Sequence, residues 1–294
     1  MRKVLVNVNG QIAPADKQGI SPLDRSFLFG DGIYETGRAL KRTFVFLEDH
    51  LIRFRQSAAK LMIPVPWNNE FLIHQLQETA KRFGTDDLYF RIILTRGTID
   101  EVGLGIFPTE DPNLVIIVQE LPKNIAQMRQ DGVTLLTSQI IRNPKRAQDP
   151  SIKANNHLNC LLALQEAKGR GYDDAILLNE HHHVAEGTTF SIFGVTDKEE
   201  ILTPSLDVGI LDSITRQHIL RITKESFNTK EIATSLDVFQ QCSEIWISSS
   251  IREVLSVKKW DQKTYPVNAP ITQTVYALFQ KHLTDYLQNA TYHY

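Results

Sequence analysis

The sequence has little that would mark a secreted, membrane-bound or metal-binding protein. Only two cysteines, Cys160 and Cys242, occur among its 294 residues, too few for a disulfide framework or a zinc-ligand spacing. No apolar run approaches the ~20 residues of a membrane helix, and the first residues, MRKVLVNVNGQ, lack a signal-peptide core. The histidines at 181–183 are interpreted as the exposed tip of a hairpin. We therefore expect a cytoplasmic protein with no membrane partner and no metal.

Charge of one sign is not in excess either. The chain has 32 basic and 34 acidic residues, a formal net charge of −2, and its basic residues are scattered without stacking aromatics between them. These features argue against nucleic acid as a partner. The sequence is 42% hydrophobic and 22% charged, which is an ordinary composition for a globular protein. Its 294 residues are enough for two modest domains.

The pattern of apolar residues predicts an α+β protein, because short alternating strands and amphipathic helices follow one another without repeats. We predict an N-terminal α+β domain over 1–120, a linker over 121–131, and a C-terminal domain over 132–294. A helix is predicted over 156–171, with one side that looks buried, formed by Leu158, Leu161, Leu162 and Ala167.

One lysine stands in an unusual place. Lys153 lies between Ile152 and Ala154, just before the helix predicted over 156–171. A desolvated lysine tends to lose its charge and becomes an amine nucleophile, able to form a Schiff base with a carbonyl compound. The alternative is a lysine at the end of a polar stretch with its ammonium group in water.

Three other features would suit pyridoxal phosphate, which needs an anion site and a partner for its ring nitrogen. Ser213, Ile214 and Thr215 begin a predicted helix, whose free amides favour a phosphate. The serines at 248–250 follow a predicted strand, and Glu186 lies between short strands. Taken singly, each has a plain alternative as a helix cap, a loop or a solvated turn residue.

Together these segments resemble, in order and spacing, the class IV (fold type IV) pyridoxal-phosphate aminotransferases. That family includes branched-chain and D-amino acid aminotransferases and 4-amino-4-deoxychorismate lyases. The resemblance covers nearly the whole chain and rests on five segments: SPLDRSFLFGDGIYET, HLIRFRQSA, IKANNHLNCLLALQEAKGRGYDDAILL, VAEGTTFSIF and TPSLDVGILDSITR. It implies a smaller N-terminal domain, a larger C-terminal domain, the cofactor at their interface, and a homodimer.

The resemblance also implies residue roles. Lys153 would be the catalytic Schiff-base lysine and Glu186 the partner of the pyridine nitrogen. The residues implied in phosphate binding are Arg53, Ser213, Ile214, Thr215 and Ser250. We expect the loss of Arg53 to weaken cofactor binding far more than it lowers stability.

Two positions depart from the family pattern. Ser191 stands where members commonly have asparagine, and Ser213 stands where they commonly have glycine. Ser191 has a shorter reach, and Ser213 adds a side chain where the backbone approaches the phosphate. We expect adjusted or weakened cofactor contacts at both positions, and a catalytically weak homologue stays an alternative.

The substrate signals conflict. D-amino acid enzymes trap the α-carboxylate with an arginine and a histidine where this chain has Glu101 and Gly103. Tyr89 and Arg91, in LYFRI, and the following VGLGI are similar to the branched-chain enzymes, and Tyr34 matches a position that lines the substrate pocket. The K-x-x-N-x-L spacing after the lysine is closer to the D-amino acid enzymes or the lyases. We favour transamination between a branched-chain L-amino acid and 2-oxoglutarate, with D-amino acid transamination or aminodeoxychorismate lysis as alternatives.

Overall fold

The computed structural model describes residues 3–105 and 111–294, and these form two compact units. Unit 1 contains residues 1–121, 152–156 and 286–294, and unit 2 contains residues 122–151 and 157–285. Unit 1 thus includes two segments from the later part of the sequence, so a division into consecutive ranges does not describe it. The mixture of helices and sheets agrees with the expected α+β class.

Unit 1 is built on a six-stranded sheet in the order β2-β1-β6-β5-β3-β4, and all its neighbouring strands are antiparallel. Its strands are β1 (Val4–Val8), β2 (Gln11–Pro14), β3 (Gly32–Leu40), β4 (Thr43–Phe44), β5 (Leu88–Thr95) and β6 (Leu114–Gln119). In β5 the even-numbered residues Leu88, Phe90 and Ile92 are buried while their odd-numbered neighbours are partly exposed. This period of two is the signature of a sheet with one face on the core.

Three helices belong to unit 1: α1 (Arg25–Phe29), α2 (Leu47–Lys60) and α3 (Asn69–Phe83). The side chain of Asn68 accepts a hydrogen bond from Phe71 N and caps α3, as its position before the apolar pattern predicts. Leu51, Phe54 and Ala58 of α2 join the buried core of the sheet. The local sequence therefore determines both where these helices begin and which face they bury.

The segment 152–156 lies beside the start of β3. Tyr34 N donates to Lys153 O at 2.9 Å, and Asn155 N donates to Gly32 O at 2.9 Å. Gly32 is required at this approach, because a Cβ there would lie 2.7 Å from Leu94 O and 3.0 Å from Asn155 Nδ2. These backbone bonds fix the position of Lys153 relative to β3.

Unit 2 contains a nine-stranded mixed sheet in the order β12-β11-β10-β13-β14-β7-β8-β9, with β15 paired to β14. The β11–β12, β14–β7 and β7–β8 pairs are parallel and the others antiparallel. Its strands are β7 (Val133–Thr137), β8 (Asp174–Leu178), β9 (Val184–Gly187), β10 (Ser191–Val195), β11 (Ile201–Pro204), β12 (Thr229–Ile232), β13 (Glu244–Ser249), β14 (Glu253–Trp260) and β15 (Lys263–Thr264).

The remaining helices are α4 (Ile125–Asp131), α5 (Leu158–Gly169), α6 (Ile214–Thr223), α7 (Leu236–Gln241) and α8 (Pro270–Asn289), the last of which ends within unit 1. The segment predicted as a linker therefore contains α4. The short elements α1, α4, α7 and β12 were not predicted, because four to seven residues carry too little periodicity to mark them.

The predicted orientation of α5 is wrong. Its buried residues are Cys160, Ala163 and Ala167, whereas Leu158, Leu161 and Leu162 are exposed. Both sides of this helix are apolar, so the pattern could not indicate which one faces the core. The small side chains are buried, and α5 packs through them on β8.

Two smaller expectations concern the surface. His181 and His182 are exposed in the turn between β8 and β9, as predicted for a hairpin tip. No group of three metal-ligating side chains and no helix suited to span a membrane occurs within residues 3–105 and 111–294. Of the segment VGLGI, Ile106 lies outside the described residues.

Candidate active site

Lys153 lies against an aromatic ring and not in open solvent. Its Nζ donates to the Tyr34 hydroxyl at 3.2 Å and lies 4.3 Å from the centre of that ring. Its backbone N donates to Ser57 Oγ at 3.2 Å, which ties the lysine to α2. These contacts favour a positioned amine over a lysine whose ammonium group is simply hydrated.

Arg91 contacts the same tyrosine. Its guanidinium carbon lies 3.8 Å from the centre of the Tyr34 ring, and its Nη2 donates to Asn155 Oδ1 at 3.3 Å. The Nε of Arg91 is buried and has no hydrogen-bond partner among the described residues. A buried donor without an acceptor is costly, and a bound carboxylate would satisfy it.

The pairing of β3 with β5 explains why Tyr34 and Arg91 meet. Tyr34 faces Ile93 and Arg38 faces Tyr89 in the ladder, while Arg91 is opposite the residue between them. Since alternate residues share a face of a sheet, Tyr34, Tyr89 and Arg91 project to the same side. The three predicted substrate residues are thus on one face, where Tyr34 and Arg91 are in contact.

Arg53 is engaged on the opposite face. Its Nε and Nη2 donate to the two carboxylate oxygens of Glu35 at 2.7 and 2.8 Å. His50 Nδ1 lies 2.7 Å from Glu35 Oε2, and all three residues are buried. The loss of Arg53 would leave a buried carboxylate without its cation, so we expect a large loss of stability as well. The expected ranking of the cofactor effect above the stability effect stays a prediction.

The charges of this buried group are set by mutual contact. Burial opposes ionisation of Glu35, but the charge and hydrogen bonds of Arg53 and a hydrogen bond from His50 lower its pKa to about 2. Burial lowers the pKa of His50, opposed by Glu35. The group is thus a neutral set of Arg53 cation, Glu35 anion and uncharged imidazole near pH 7, and a phosphate contact would require Arg53 to bind Glu35 and the phosphate at once.

In unit 2, Glu186 is held by an arginine that the sequence analysis did not single out. Arg142 Nε lies 2.7 Å from Glu186 Oε1, too poorly aligned to count as a hydrogen bond, and Leu211 N donates to the same oxygen at 3.2 Å. The carboxylate is only about 10% exposed. A cation beside a carboxylate favours its ionised form, which is the form that could keep a pyridine nitrogen protonated.

The α6 N-terminus has the features of an anion site. Ile214 and Thr215 occupy its first two positions and are each 2% exposed, and the first amides of a helix have no intrahelical acceptor. Ser213 Oγ accepts from Arg216 N at 3.4 Å, so the side chain at this departure from the family pattern caps the helix. Ser250 is partly buried just after β13.

Two buried hydroxyl groups support this assignment. Ser191 and Ser248 are cross-strand partners on β10 and β13, at 2% and 0% exposure, and neither Oγ has a hydrogen-bond partner among the described residues. β13 also packs against α6. Buried hydroxyls without a partner among the described residues, together with the first amides of a helix, are the donors that a phosphate needs, so unit 2 fits the phosphate of pyridoxal phosphate.

Each unit thus brings together a different part of the predicted set. Unit 1 holds Lys153, Tyr34 and Arg91, and unit 2 holds the N-terminus of α6, the two buried hydroxyl groups and Glu186. Sequence reasoning missed four residues that hold the predicted ones in place. These are Glu35, His50, Arg142 and Asn155, and no local signal marks them because each partner is distant in sequence or on another element.

Curated relatives carry three different activities in their names. A Methanocaldococcus jannaschii protein, provisionally named as a branched-chain-amino-acid aminotransferase, is 29% identical over 87% of this chain and 88% of its own length. The aminodeoxychorismate lyase of Bacillus subtilis is 25% identical over 96% of this chain and 95% of its own. The D-alanine aminotransferase of Bacillus licheniformis is 27% identical over 92% of this chain and 94% of its own. Two Arabidopsis thaliana relatives are matched over only 51% of their own length.

Solved structures show the same fold. The branched-chain aminotransferase of Thermoproteus uzoniensis with norvaline superposes with a TM-score of 0.87 at 24% identity, over 96% of this chain and 95% of that one. A second branched-chain amino acid aminotransferase, complexed with N-(5'-phosphopyridoxyl)-L-glutamate, gives a TM-score of 0.88 at 24% identity, over 97% of this chain and 95% of that one. At this identity the likeness establishes the fold type IV architecture, as expected.

The family is shown by a match over residues 32–260 to the model of amino-transferase class IV. This range spans more than three quarters of the chain and contains Lys153, Arg53 and Glu186. Members of this class work with pyridoxal 5'-phosphate, and the geometry of both units suits that cofactor. The chain belongs to the class IV aminotransferases, the pyridoxal-phosphate-dependent transferases of fold type IV.

Proposed function

We propose that the protein transfers the amino group of branched-chain L-amino acids to 2-oxoglutarate. The observation that carries the proposal is the stacking of Arg91 on Tyr34, 3.8 Å from the ring centre and next to the amine of Lys153. The unsatisfied Nε of Arg91 is a donor for a substrate carboxylate. The flat ring of Tyr34 would border the apolar part of the substrate.

In this proposal Lys153 is the proton carrier. When bound, pyridoxal phosphate withdraws electrons from the α-carbon of an amino acid and stores its amino group. The Lys153 Nζ would take the α-proton as general base and then return it to the cofactor as general acid. The hydrogen bond to the Tyr34 hydroxyl would hold the amine in place during this transfer.

The other predicted residues would bind the cofactor or the substrate, or polarise the cofactor ring. Glu186 would keep the cofactor's ring nitrogen protonated, with Arg142 Nε 2.7 Å from its carboxylate. The phosphate would be bound by Arg53, the amides of Ile214 and Thr215, and the hydroxyl of Ser250, with Ser213 capping the helix. Tyr89 would line the substrate side of the sheet beside Arg91.

The loop after β5 supports the L-configured substrate. Its exposed Glu101 would repel an α-carboxylate, and Gly103 has no side chain to bind one. Arg96, an alternative anchor, already donates to Asp31 Oδ2 at 2.7 Å and to Leu61 O at 2.7 Å. Arg91 is therefore a better candidate for the anchor than Arg96.

A panel of amino donors and oxo-acid acceptors tests the proposal. Purified, cofactor-loaded protein is incubated with L-leucine, L-valine, L-isoleucine or D-alanine, each with 2-oxoglutarate or pyruvate, and the new amino acid is quantified. We expect L-leucine to exceed D-alanine at least tenfold in rate. The reverse preference would overturn the substrate assignment and leave the family membership standing.

A lyase is the second candidate, favoured by the K-x-x-N-x-L spacing and by the Bacillus subtilis relative. Aminodeoxychorismate lysis releases pyruvate and consumes no oxo-acid acceptor. Pyruvate formed from aminodeoxychorismate without an acceptor, together with no activity in the panel, would establish the lyase instead. We further propose that the protein is a cytoplasmic homodimer, as the family resemblance implies.

A further inference from the structure

Three buried arginines of unit 1 bind a carboxylate of the chain itself. Arg53 donates to both oxygens of Glu35. Arg25 and Arg96 both donate to Asp31 Oδ2, at 2.8 and 2.7 Å. A carboxylate in direct contact with a guanidinium opposes its charge, so these arginines attract the carboxylate of a ligand less strongly.

Arg91 is held in a different way. Its Nη2 donates to Asn155 Oδ1 at 3.3 Å, and its guanidinium carbon lies 3.8 Å from the centre of the Tyr34 ring. Within the part of the chain that the structure describes, no carboxylate lies within 4.0 Å of its guanidinium nitrogens. A neutral amide can orient a guanidinium without opposing its charge. Arg91 is therefore oriented by its partners and keeps its positive charge available.

The Asn155 side chain is fixed at its other end as well. Its Nδ2 donates to Ser26 Oγ, on α1, at 3.0 Å, and its backbone N donates to Gly32 O, on β3, at 2.9 Å. A Cβ at Gly32 would lie 2.9 Å from Ser26 Oγ and 3.0 Å from Asn155 Nδ2. Asn155 is thus tied to α1, β3 and β5 at once, and the glycine leaves room for this arrangement.

Asn155 also belongs to the segment that carries the amine. It lies two residues after Lys153, whose Nζ donates to the Tyr34 hydroxyl at 3.2 Å. The amine and the guanidinium therefore contact the same tyrosine, and one segment of five residues, 152–156, holds both in place. A substrate that presents its carboxylate to Arg91 needs this fixed spacing, because catalysis depends on where the reacting atoms are held.

We propose that Asn155 is a positioning residue that sets the affinity of the enzyme for the carboxylate of its oxo-acid substrate. Its uncharged amide holds Arg91 against Tyr34 and leaves the charge of the guanidinium available to the substrate. The inference rests on the proposed function, in which Arg91 is the anchor. It adds that the residue at position 155 must be uncharged for the anchor to bind well.

Asn155→Asp tests the role of charge. Aspartate has the shape of asparagine and can still accept hydrogen bonds from Arg91 Nη2 and from the Ser26 hydroxyl, so it keeps the contacts and adds a negative charge. The KM of cofactor-loaded enzyme for 2-oxoglutarate should rise about 30-fold, as expected when a charge-assisted hydrogen bond is lost. The kcat should change less than about threefold, because the contact serves binding and not the proton transfer.

Asn155→Ala separates the charge from the contact. Alanine removes the orienting hydrogen bond and adds no charge, so the KM should rise only about fivefold. A purely structural role predicts the reverse order, because alanine loses the side-chain contacts that aspartate keeps. Circular dichroism checks that each variant is folded. An unchanged KM in folded Asn155→Ala would by itself contradict the orienting contact.

Asn69→Asp is the matched control. Asn69 is an exposed asparagine of α3 whose Oδ1 accepts from Arg55 Nε at 2.7 Å. The same substitution is thus made beside another arginine, one to which the proposed function gives no role. Its KM should stay within about twofold of wild type, since exposed charges interact weakly. Pyridoxal phosphate affinity, measured by absorbance titration, should stay close to the wild-type value in all three variants.

A binding titration distinguishes this inference from the proposed function. Glutarate has two carboxylates and no oxo group, so it binds without being converted. Calorimetric titration of cofactor-loaded protein with glutarate should show affinity about 30-fold weaker for Asn155→Asp and about fivefold weaker for Asn155→Ala than for wild type. This measurement does not require any transamination.

Three results would overturn the inference. These are equal KM values for wild type and Asn155→Asp, a larger rise for Asn155→Ala than for Asn155→Asp, and no binding of glutarate to the wild-type protein. A wild-type protein that fails the amino-donor panel but binds glutarate more tightly than Asn155→Asp, by the expected factor, would reject the proposed function and support the role of Asn155.

Discussion

Two groups of buried polar side chains, one in each unit, differ in whether the protein itself satisfies them. In unit 1, Glu35, Arg53 and His50 satisfy one another through contacts of 2.7 to 2.8 Å. In unit 2, Ser191 and Ser248 are as deeply buried, but neither hydroxyl has a hydrogen-bond partner among the described residues. The Glu35–Arg53–His50 group is satisfied within the protein, whereas the hydroxyl groups of Ser191 and Ser248 are not satisfied by the described residues.

This difference distinguishes buried polar side chains that stabilise the fold from buried polar side chains that are available to bind a ligand. A buried charge that has its partner within the fold contributes when both members are present, and its loss is a loss of stability. A buried hydroxyl without a partner costs free energy in the protein alone and is recovered only when a ligand accepts its hydrogen bond. Burial alone does not distinguish the two cases, whereas the hydrogen-bond partners do.

The largest effect is expected from the loss of Lys153. Its amine, in unit 1, contacts both the ring and the hydroxyl of Tyr34. Lys153→Ala should lower the transamination rate by about 10³-fold or more, since general base catalysis alone contributes 10²–10⁴-fold. The fold should persist, which circular dichroism checks. Lys168→Ala, an exposed lysine of α5, is the control and should keep its rate. Near-wild-type turnover of Lys153→Ala would remove this residue from the mechanism.

The next largest effect is expected for Arg53→Ala, and it is a loss of stability. Removing one partner of a buried ion pair typically costs about 3–5 kcal/mol. The free energy of unfolding, measured by denaturant titration of the cofactor-free protein, should fall by this amount. A double variant, Glu35→Gln with Arg53→Met, should recover part of the loss, because no charge remains unpaired. Equal losses in the single and double variants would contradict the neutral-set interpretation.

The same pair predicts how stability depends on pH. The pKa of Glu35 is lowered in the folded state from 4.5 to about 2, so the folded protein binds fewer protons there. The contribution of ionised Glu35 to the free energy of unfolding is therefore fully present above pH 4.5 and is lost as the pH falls toward 2. Its size is about 3 kcal/mol at 1.36 kcal/mol per pKa unit. Glu35→Gln should remove this part of the pH dependence, which denaturant titrations at pH 6, 4.5 and 3 would measure against wild type.

The smallest effect is expected in unit 2. Ser191→Ala should leave the stability of the cofactor-free protein unchanged or slightly higher, because the hydroxyl has no partner to lose. Thr203→Val is the matched control, a buried hydroxyl that donates to Ile192 O at 2.9 Å, and it should cost about 1 kcal/mol. If Ser191 contacts the cofactor, its loss should weaken cofactor affinity about fivefold. A stability loss at Ser191 equal to that at Thr203 would end the distinction between buried hydroxyls with and without a hydrogen-bond partner.

Much of this protein could be predicted from local sequence. The helices α2, α3, α6 and α8 and most strands lie where their apolar period places them, because that period reflects the chain's own geometry. Lys153 and Glu186 were selected by ordered motifs that resemble a family, and the family match confirms that resemblance. Their catalytic roles stay predictions.

The tertiary structure decided which partners and faces are used. Glu35 binds Arg53 because alternation along β3 turns it away from Tyr34 and toward α2, and Arg142 meets Glu186 from a distant part of the chain. On α5, the alanine side and the leucine side are both apolar, so hydrophobicity alone could not choose between them. The close approach to β8 admits only the small side chains, because the space available for a side chain is a property of the packed neighbours and not of the sequence segment itself.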